Sequence, residues 1–194
     1  YDPPGSGILW PSIRWYDETN TGSLQNDGVI GVSSHLQALG IGQGFACWSG
    51  DNLGGTAPFV VDLGGAPPVI ASTPINLPIS WTDTGTPIVD GWNLVSNPVP
   101  SAIAFDQIAR GADVEDYVTF YNPANGNAAV YDISLGMGSN GATNTIQSSQ
   151  GFFLKANGPN VATTVEENDK INDNGGGIFG GLLPDASPML HLRI

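Results

Sequence analysis

The chain carries one short motif twice, and an aromatic strand precedes each copy. Gly42-Gln43-Gly44-Phe45 in the first half returns as Ser149-Gln150-Gly151-Phe152 in the second. Ile13-Arg14-Trp15-Tyr16-Asp17 precedes the first copy, and Val118-Thr119-Phe120-Tyr121-Asn122 precedes the second. The strands are 105 positions apart (Trp15 to Phe120) and the motifs 107 (Gln43 to Gln150). A chance match would not bring a similar strand at the same distance, so we predict two diverged copies of one β-unit.

Short alternating segments separated by turn residues predict an all-β protein, an antiparallel β-sandwich of jelly-roll-like type. Asn26-Asp27-Gly28 and Asn125-Gly126 are hairpin signals. One short helix is expected over residues 102–110, capped by Ser101 and ended by Gly111. Strands are expected over residues 12–17, 29–32, 43–48, 57–63, 68–71, 77–82, 117–121, 128–133, 150–156, 161–165 and 189–194, and around Trp92-Asn93-Leu94-Val95.

The repeat divides the chain into a first β-unit, residues 1–83, and a second, residues 84–194. The alternative is that both belong to one continuous sandwich domain. The first unit is expected to lack its N-terminal opening, because the ends of the chain resemble cuts within a longer polypeptide. Core positions are expected at Phe45, Cys47, Phe152, Leu154, Trp92 and Leu94, with the single cysteine acting as a small apolar residue.

The charge balance excludes several kinds of partner. The chain has 5 Lys and Arg against 18 Asp and Glu, a formal net charge of −13. Nucleic acids and anionic lipids are bound mainly through basic side chains, so neither is expected as a partner. No apolar run approaches the 18 or more residues of a membrane span, so membrane insertion is not expected.

No catalytic signature is present in the sequence. His35 and His191 are the only histidines and lack the spacing of a zinc site. Three acidic groups, Asp17-Glu18, Asp113 with Glu115-Asp116, and Glu166-Glu167, leave a glycoside hydrolase as a remote alternative, because such enzymes use two carboxylates. All three lie in or beside predicted turns, so we expect a protein that is not an enzyme and has no catalytic residue.

One polar loop allows a structural calcium ion. Asp169, Asn172 and Asp173 supply oxygen ligands of the kind that Ca²⁺ prefers, although the spacing is not that of an EF-hand. A plain polar loop is the alternative. No other cofactor is expected.

The tryptophans are the best indication of a ligand. Trp48, Trp10 and Trp15 are candidate exposed platforms against which a sugar ring could stack. The alternative is that Trp15, Trp81 and Trp92 fill the core.

Two segments of the second half together resemble a known module. Its Gly-Trp-Asn-Leu-Val-Gly-Asn-Pro-Tyr-Pro-Ser segment is similar to Gly91-Trp92-Asn93-Leu94-Val95-Ser96-Asn97-Pro98-Val99-Pro100-Ser101. Its Gly-Gln-Gly-Phe-Phe-Val-Lys-Ala segment is similar to Ser149-Gln150-Gly151-Phe152-Phe153-Leu154-Lys155-Ala156. The module occurs in large secreted proteins of Bacteroidota that are substrates of type IX secretion. Ser96, Val99 and Ser149 depart from that pattern. The resemblance covers most of residues 12–157 and implies an extracellular or outer-surface location, with further domains on both sides.

These observations favour a non-catalytic structural or adhesive β-sandwich module of a larger secreted or cell-surface protein. The expected partners are neighbouring domains or identical subunits, and in a filament the edge strands would pair between subunits. The alternative is a carbohydrate-binding module, with neutral polysaccharides favoured because a net charge of −13 repels polyanions.

Overall fold

The computed structural model describes residues 13–20, 22–34, 36–47, 74–122 and 125–172, and these segments form an all-β protein, as predicted. Helical residues in these segments occur only in the 3-10 turns Gln25–Gly28, Phe105–Gln107 and Glu167–Asp169. No helix in the described segments has the length and apolar character needed to cross a bilayer.

The strands are short and all their pairings are antiparallel. In chain order they are β1 Ile13–Tyr16, β2 Val29–Gly31, β3 Ala46–Cys47, β4 Ile75–Asn76, β5 Trp92–Ser96, β6 Ala102–Ala104, β7 Tyr117–Asn122, β8 Asn127–Asp132, β9 Met137–Gly138, β10 Thr145–Ile146, β11 Gly151–Lys155, β12 Thr164–Val165 and β13 Lys170–Ile171.

The largest sheet, called the main sheet below, has the order β5-β11-β7-β8-β9. Three smaller sheets accompany it: β2-β1-β3 from the first half, β10-β6-β13, and the pair β12-β4. One hydrophobic core contains Val95, Val118, Phe120, Phe152 and Leu154 of the main sheet together with Ile103, Ile146 and Val165 of two smaller sheets. Burial of these side chains supplies the main driving force for folding.

The two faces of the main sheet differ in burial. Along β5 the buried residues are Asn93 and Val95, whereas Trp92 and Leu94 are half-buried on the opposite, outer face. The prediction that Trp92 and Leu94 belong to the core is therefore wrong. Asn93 takes an inner position because its amide donates to the carbonyls of Ser80 and Gly91 and its Oδ1 accepts from the Ser80 N–H.

The other core predictions divide between the two motif copies. Phe152 and Leu154 are fully buried in β11, as predicted. Phe45 is half-buried and Cys47 is exposed, so the prediction is wrong in the first copy. The physical reason is that β3 belongs to the smaller sheet of the first half and not to the sheet that covers the core.

Three local predictions are also wrong. The expected helix 102–110 is strand β6 followed by a 3-10 turn, because residues 102–105 are all buried and β6 pairs with strands on both sides. Asn26-Asp27-Gly28 forms a 3-10 turn in which Asp27 Oδ2 accepts from the Leu24 N–H, instead of a hairpin turn. Residues 77–82 are irregular, and the strand lies earlier, at β4.

The second hairpin signal is confirmed. Asn125-Gly126 ends the four-residue connection between β7 and β8, and Gly126 has a φ of 71° that favours glycine. The predicted strands over residues 57–63, 68–71 and 189–194 lie outside the described residues.

The same strand pairing occurs in both halves. β1 lies between β2 and β3, and β7 lies between β8 and β11. Arg14 pairs with Ala46, and at the corresponding positions of the repeat Thr119 pairs with Phe153. Two copies of one unit would give this recurrence; the duplication and its boundary at residues 83 and 84 stay predictions.

The Gln-Gly motif has one local geometry in both copies. The Gln43 N–H donates to the Gly40 carbonyl, and Gln43 Oε1 accepts from the Gly40 N–H at 2.9 Å. Gln150 makes the same two bonds with Gln147, again with 2.9 Å at Oε1. The residue before the glutamine is left-handed each time, with φ of 75° at Gly42 and 61° at Ser149. A repeated turn therefore explains why this motif recurs.

We expect Ser149→Gly to stabilise the protein by about 0.5–1 kcal/mol. A left-handed conformation costs a non-glycine residue about 1–2 kcal/mol, and the greater backbone entropy of glycine in the unfolded chain offsets part of the gain. Urea unfolding monitored by tryptophan fluorescence measures the change. Ser149→Ala is the control, because it removes the hydroxyl and keeps the strain. Equal stability of the Gly and Ala variants would contradict the explanation.

Backbone pairing joins the first half of the chain to the second. The Gly44 N–H donates to the Leu94 carbonyl at 3.1 Å, and the Ser96 N–H donates to the Gly42 carbonyl at 2.8 Å. β11 pairs along the other side of β5. Strand β5 therefore lies between the two copies of the motif.

A buried carboxylate makes the second connection between the halves. Glu18 is 4% exposed and accepts four hydrogen bonds from residues 62 to 73 positions further along the chain. Its Oε1 accepts from the N–H groups of Thr82 and Gly91, and its Oε2 from the hydroxyls of Ser80 and Thr82. Since hydrogen bonds to a charged group are stronger than neutral ones, this contact fixes the end of β1 against the chain that leads into β5.

Candidate functional site

An open groove, here called the aromatic groove, lies on the outer face of the main sheet. Its volume is about 390 Å³, within the range of small-ligand sites. The sheet supplies its floor, and β2 and the end of β1 with the following 3-10 turn supply one wall. The aromatic side chains on the outer face that line it are Tyr16, Trp92, Tyr117, Tyr121 and Phe153.

Strand alternation places these side chains. In β7, Val118 and Phe120 are buried in the core, so Tyr117, Thr119 and Tyr121 point to the outer face. Phe153 lies at the centre of this face, because it pairs with Leu94 on one side and Thr119 on the other. The groove thus follows from the same alternation that builds the core.

The rings form a continuous cluster. Phe153 packs edge-on against Tyr16, with centroids 5.6 Å apart, and against Trp92 at 6.4 Å. Trp92 also contacts Tyr117 at 6.4 Å, and its Nε1 donates to the Ile88 carbonyl. Tyr121 is 62% exposed. The groove therefore has a centre of contacting rings, and the ring of Tyr121 projects into solvent beside them.

The polar groups of the groove are uncharged. Gln25, Asn26 and Thr119 line it beside the tyrosines. Burial raises the pKa of Tyr16 to about 12, with Glu18 and Asp27 adding to the effect. Burial, followed by Glu115, also raises the pKa of Tyr117. Both phenols stay protonated at neutral pH, and the Tyr16 hydroxyl donates to the Gln25 carbonyl at 2.9 Å, so its oxygen can still accept a hydrogen bond.

Lys155 lies beside the groove, and its ammonium is bound by backbone carbonyls. The ammonium donates to the backbone carbonyls of Pro87 and Asp90, and it lies 5.2 Å from the centroid of the Trp92 ring. Burial lowers the pKa of Lys155, while the nearby Asp90, Glu115 and Glu18 oppose that shift. This contact orients Trp92.

The predicted tryptophan platforms are not brought together by the described structure. Trp10 and Trp48 lie outside the described residues. Trp15 is half-buried in β1, where it pairs with Ile30, and it does not line the aromatic groove. The sequence analysis assigned Trp92 to the core and so missed its position in the aromatic groove. Tyr117 and Tyr121, four positions apart on one face of the predicted strand 117–121, were the available signal.

The predicted calcium residues have different environments. Asp169 is buried, and its Oδ2 accepts from the Glu166 N–H at the start of a 3-10 turn. Burial raises its pKa. Asn172 is exposed, and Asp173 lies outside the described residues. No group of three or more acidic, histidine or cysteine side chains suited to a metal occurs in the described segments. Calcium binding stays a prediction.

A second depression lies where the two motif copies meet. Its volume is about 300 Å³, and it is lined by Phe45 and Cys47 from the first half, by Ser96 and by residues 147–151. Phe45 is the one aromatic residue among the described residues that line it. The aromatic groove is therefore the stronger candidate for a binding surface.

Comparison with known proteins adds no relative, since no family model, curated protein or solved structure matches the chain.

Proposed function

We propose that this chain is a non-catalytic structural or adhesive module of a larger secreted or cell-surface protein. The observation that carries the proposal is the double connection between the halves, by backbone pairing on β5 and by the buried Glu18. These contacts span 50 residues of sequence or more. They suit a module that must keep its shape when neighbouring parts of a longer chain move.

The use of the acidic residues supports the non-catalytic part of the proposal. Glu18 holds backbone and hydroxyl donors, and Asp113 Oδ2 accepts from the backbone N–H and side-chain amide of Asn160. Asp116 forms an ion pair with Arg110. Glu167 forms an ion pair with Lys170, so carboxylates from all three acidic groups that suggested a glycosidase have structural partners.

An extracellular or outer-surface location is part of the proposal. The resemblance to secreted proteins of Bacteroidota supports it, as does a net charge of −13 with few lysines. The proposed partners are neighbouring domains of the same polypeptide or identical subunits. Pairing of edge strands between subunits would give a filament.

A carbohydrate-binding module is the second candidate, and the aromatic groove is the observation that favours it. An open surface with projecting rings and uncharged polar groups suits adhesion to a sugar polymer.

The test uses the purified chain immobilised on beads. An adhesive module should retain cells or insoluble matrix polysaccharides without releasing soluble sugar from them. Light scattering of the free chain distinguishes a filament of identical subunits from a module that contacts neighbouring domains of its own polypeptide, since a filament has a mass far above 20.1 kDa. Release of sugar that is abolished by replacing one carboxylate would overturn the proposal in favour of a glycosidase.

A further inference from the structure

We propose that the aromatic groove binds a neutral polysaccharide, with the exposed ring of Tyr121 stacking on a sugar face. This inference rests on the proposed adhesive function and names its ligand. It differs from the sequence-based hypothesis in the residues that carry it, because none of Trp10, Trp15 and Trp48 is required.

The charge of the groove points to a neutral ligand. Although the chain has 18 acidic residues, none of the described residues lining the groove is Asp, Glu, Lys or Arg. An anionic polymer would be repelled by the net charge of −13 and would find no basic partner in the groove. A cationic ligand would find no carboxylate there. The desolvation cost of binding to this surface is therefore lowest for an uncharged ligand.

The arrangement of the rings distinguishes a sugar from a quaternary ammonium group. An ammonium cage needs space between facing rings, with the cation within about 6 Å of each centroid. Phe153 instead contacts Tyr16 and Trp92 at centroid distances of 5.6 and 6.4 Å, which is the spacing of packed rings. They form a continuous apolar floor with no space between them for a cation.

The polar groups match the remaining surface of a sugar. A sugar ring has an apolar face of C–H groups and an edge of hydroxyls that both donate and accept hydrogen bonds. The aromatic floor fits the face, while Gln25, Asn26 and Thr119 provide neutral donors and acceptors for the edge. Because the groove is open, a polymer can pass along it without a chain end being required.

The experiment is affinity electrophoresis of the whole chain in gels containing a soluble neutral β-glucan, mannan or starch. Tyr121→Ala is the main variant, since a side chain that is 62% exposed contributes little to folding. We expect at least one neutral polymer to retard the wild-type chain, and Tyr121→Ala to weaken that binding by about tenfold, the effect of one lost aromatic contact. Tyr121→Phe should keep most of the binding.

Two controls make the result specific. Leu36→Ala removes a side chain that is 79% exposed and lies outside the groove, and it should bind like the wild type. Alginate and choline serve as anionic and cationic comparators, and neither should bind or compete. A Trp92→Ala variant tests the floor, after its folding has been checked by circular dichroism.

The outcomes separate this inference from the proposed function. If the beads retain cells or matrix but no neutral polymer retards the chain, the adhesive function stands and the ligand assignment is wrong. Binding that Tyr121→Ala and Trp92→Ala both leave unchanged would place the ligand elsewhere and overturn the inference. Competition by choline or alginate would overturn the assignment of a neutral ligand.

Discussion

Replacing Gly91 with alanine is expected to destabilise the protein by about 4 kcal/mol, a large part of the 5–15 kcal/mol that stabilises a typical domain. Gly91 has a φ of 73°, a conformation that costs an alanine about 1–2 kcal/mol. A Cβ at this position would also lie 2.0 Å from the Ala156 carbonyl oxygen. The N–H of the same residue, Ala156, donates to the Gly91 carbonyl, so the two segments cannot move apart without losing this hydrogen bond.

Gly85 provides a matched control for this experiment. Its φ of 76° is nearly the same, but a Cβ there would have no atom within 4 Å. Gly85→Ala should therefore cost only about 1–2 kcal/mol, the conformational part of the effect. Denaturant unfolding of both variants, monitored by tryptophan fluorescence, measures the difference. Equal midpoints would show that the close approach of Gly91 to Ala156 is incorrect.

Replacing Glu18 with alanine is expected to cost about 3 kcal/mol. The change leaves the N–H groups of Thr82 and Gly91 and two hydroxyls without their shared acceptor in a buried site. Glu18→Gln should cost only about 1–2 kcal/mol, because one oxygen still accepts from the backbone and the hydroxyls can turn to accept from the new amide. The measurement is again the free energy of unfolding in denaturant.

Asp17 is the control for Glu18. Its carboxylate accepts from the N–H and hydroxyl of Thr19, two residues away and exposed, so Asp17→Ala should change stability by about 0.5 kcal/mol. If Asp17→Ala and Glu18→Ala cost the same, Glu18 does not connect the two halves of the chain.

The fold class could be predicted because strand alternation and turn residues are local properties. Phe152 and Leu154 were placed correctly in the core, since β11 alternates cleanly between its two faces. The failures occurred where tertiary contacts override local pattern. Residues 102–105 read as a helix because a short apolar run has no decisive period, and only their pairing partners made them a strand and turn. In β5 the apolar residues Trp92 and Leu94 suggested the inner face, but the buried amide of Asn93 places them on the outer face.

The aromatic groove could not be predicted in the same way. Tyr16, Trp92, Tyr121 and Phe153 come from four strands and meet only through the strand order of the main sheet and the packing of the first half against it. The sequence did predict strands over residues 117–121 and 150–156, close to β7 and β11. Their joint position beside β5 depends on register, which no local signal specified.

Residues 42–44 pair with one edge of β5, and this pairing keeps the edge from binding a strand of another copy of the chain. If residues 42–44 left β5, its Leu94 carbonyl and Ser96 N–H would become a template for another strand. The closest match to that strand is the same segment of a second molecule, which would produce an exchanged dimer. By occupying this edge from within its own chain, the first half protects the second from domain swapping.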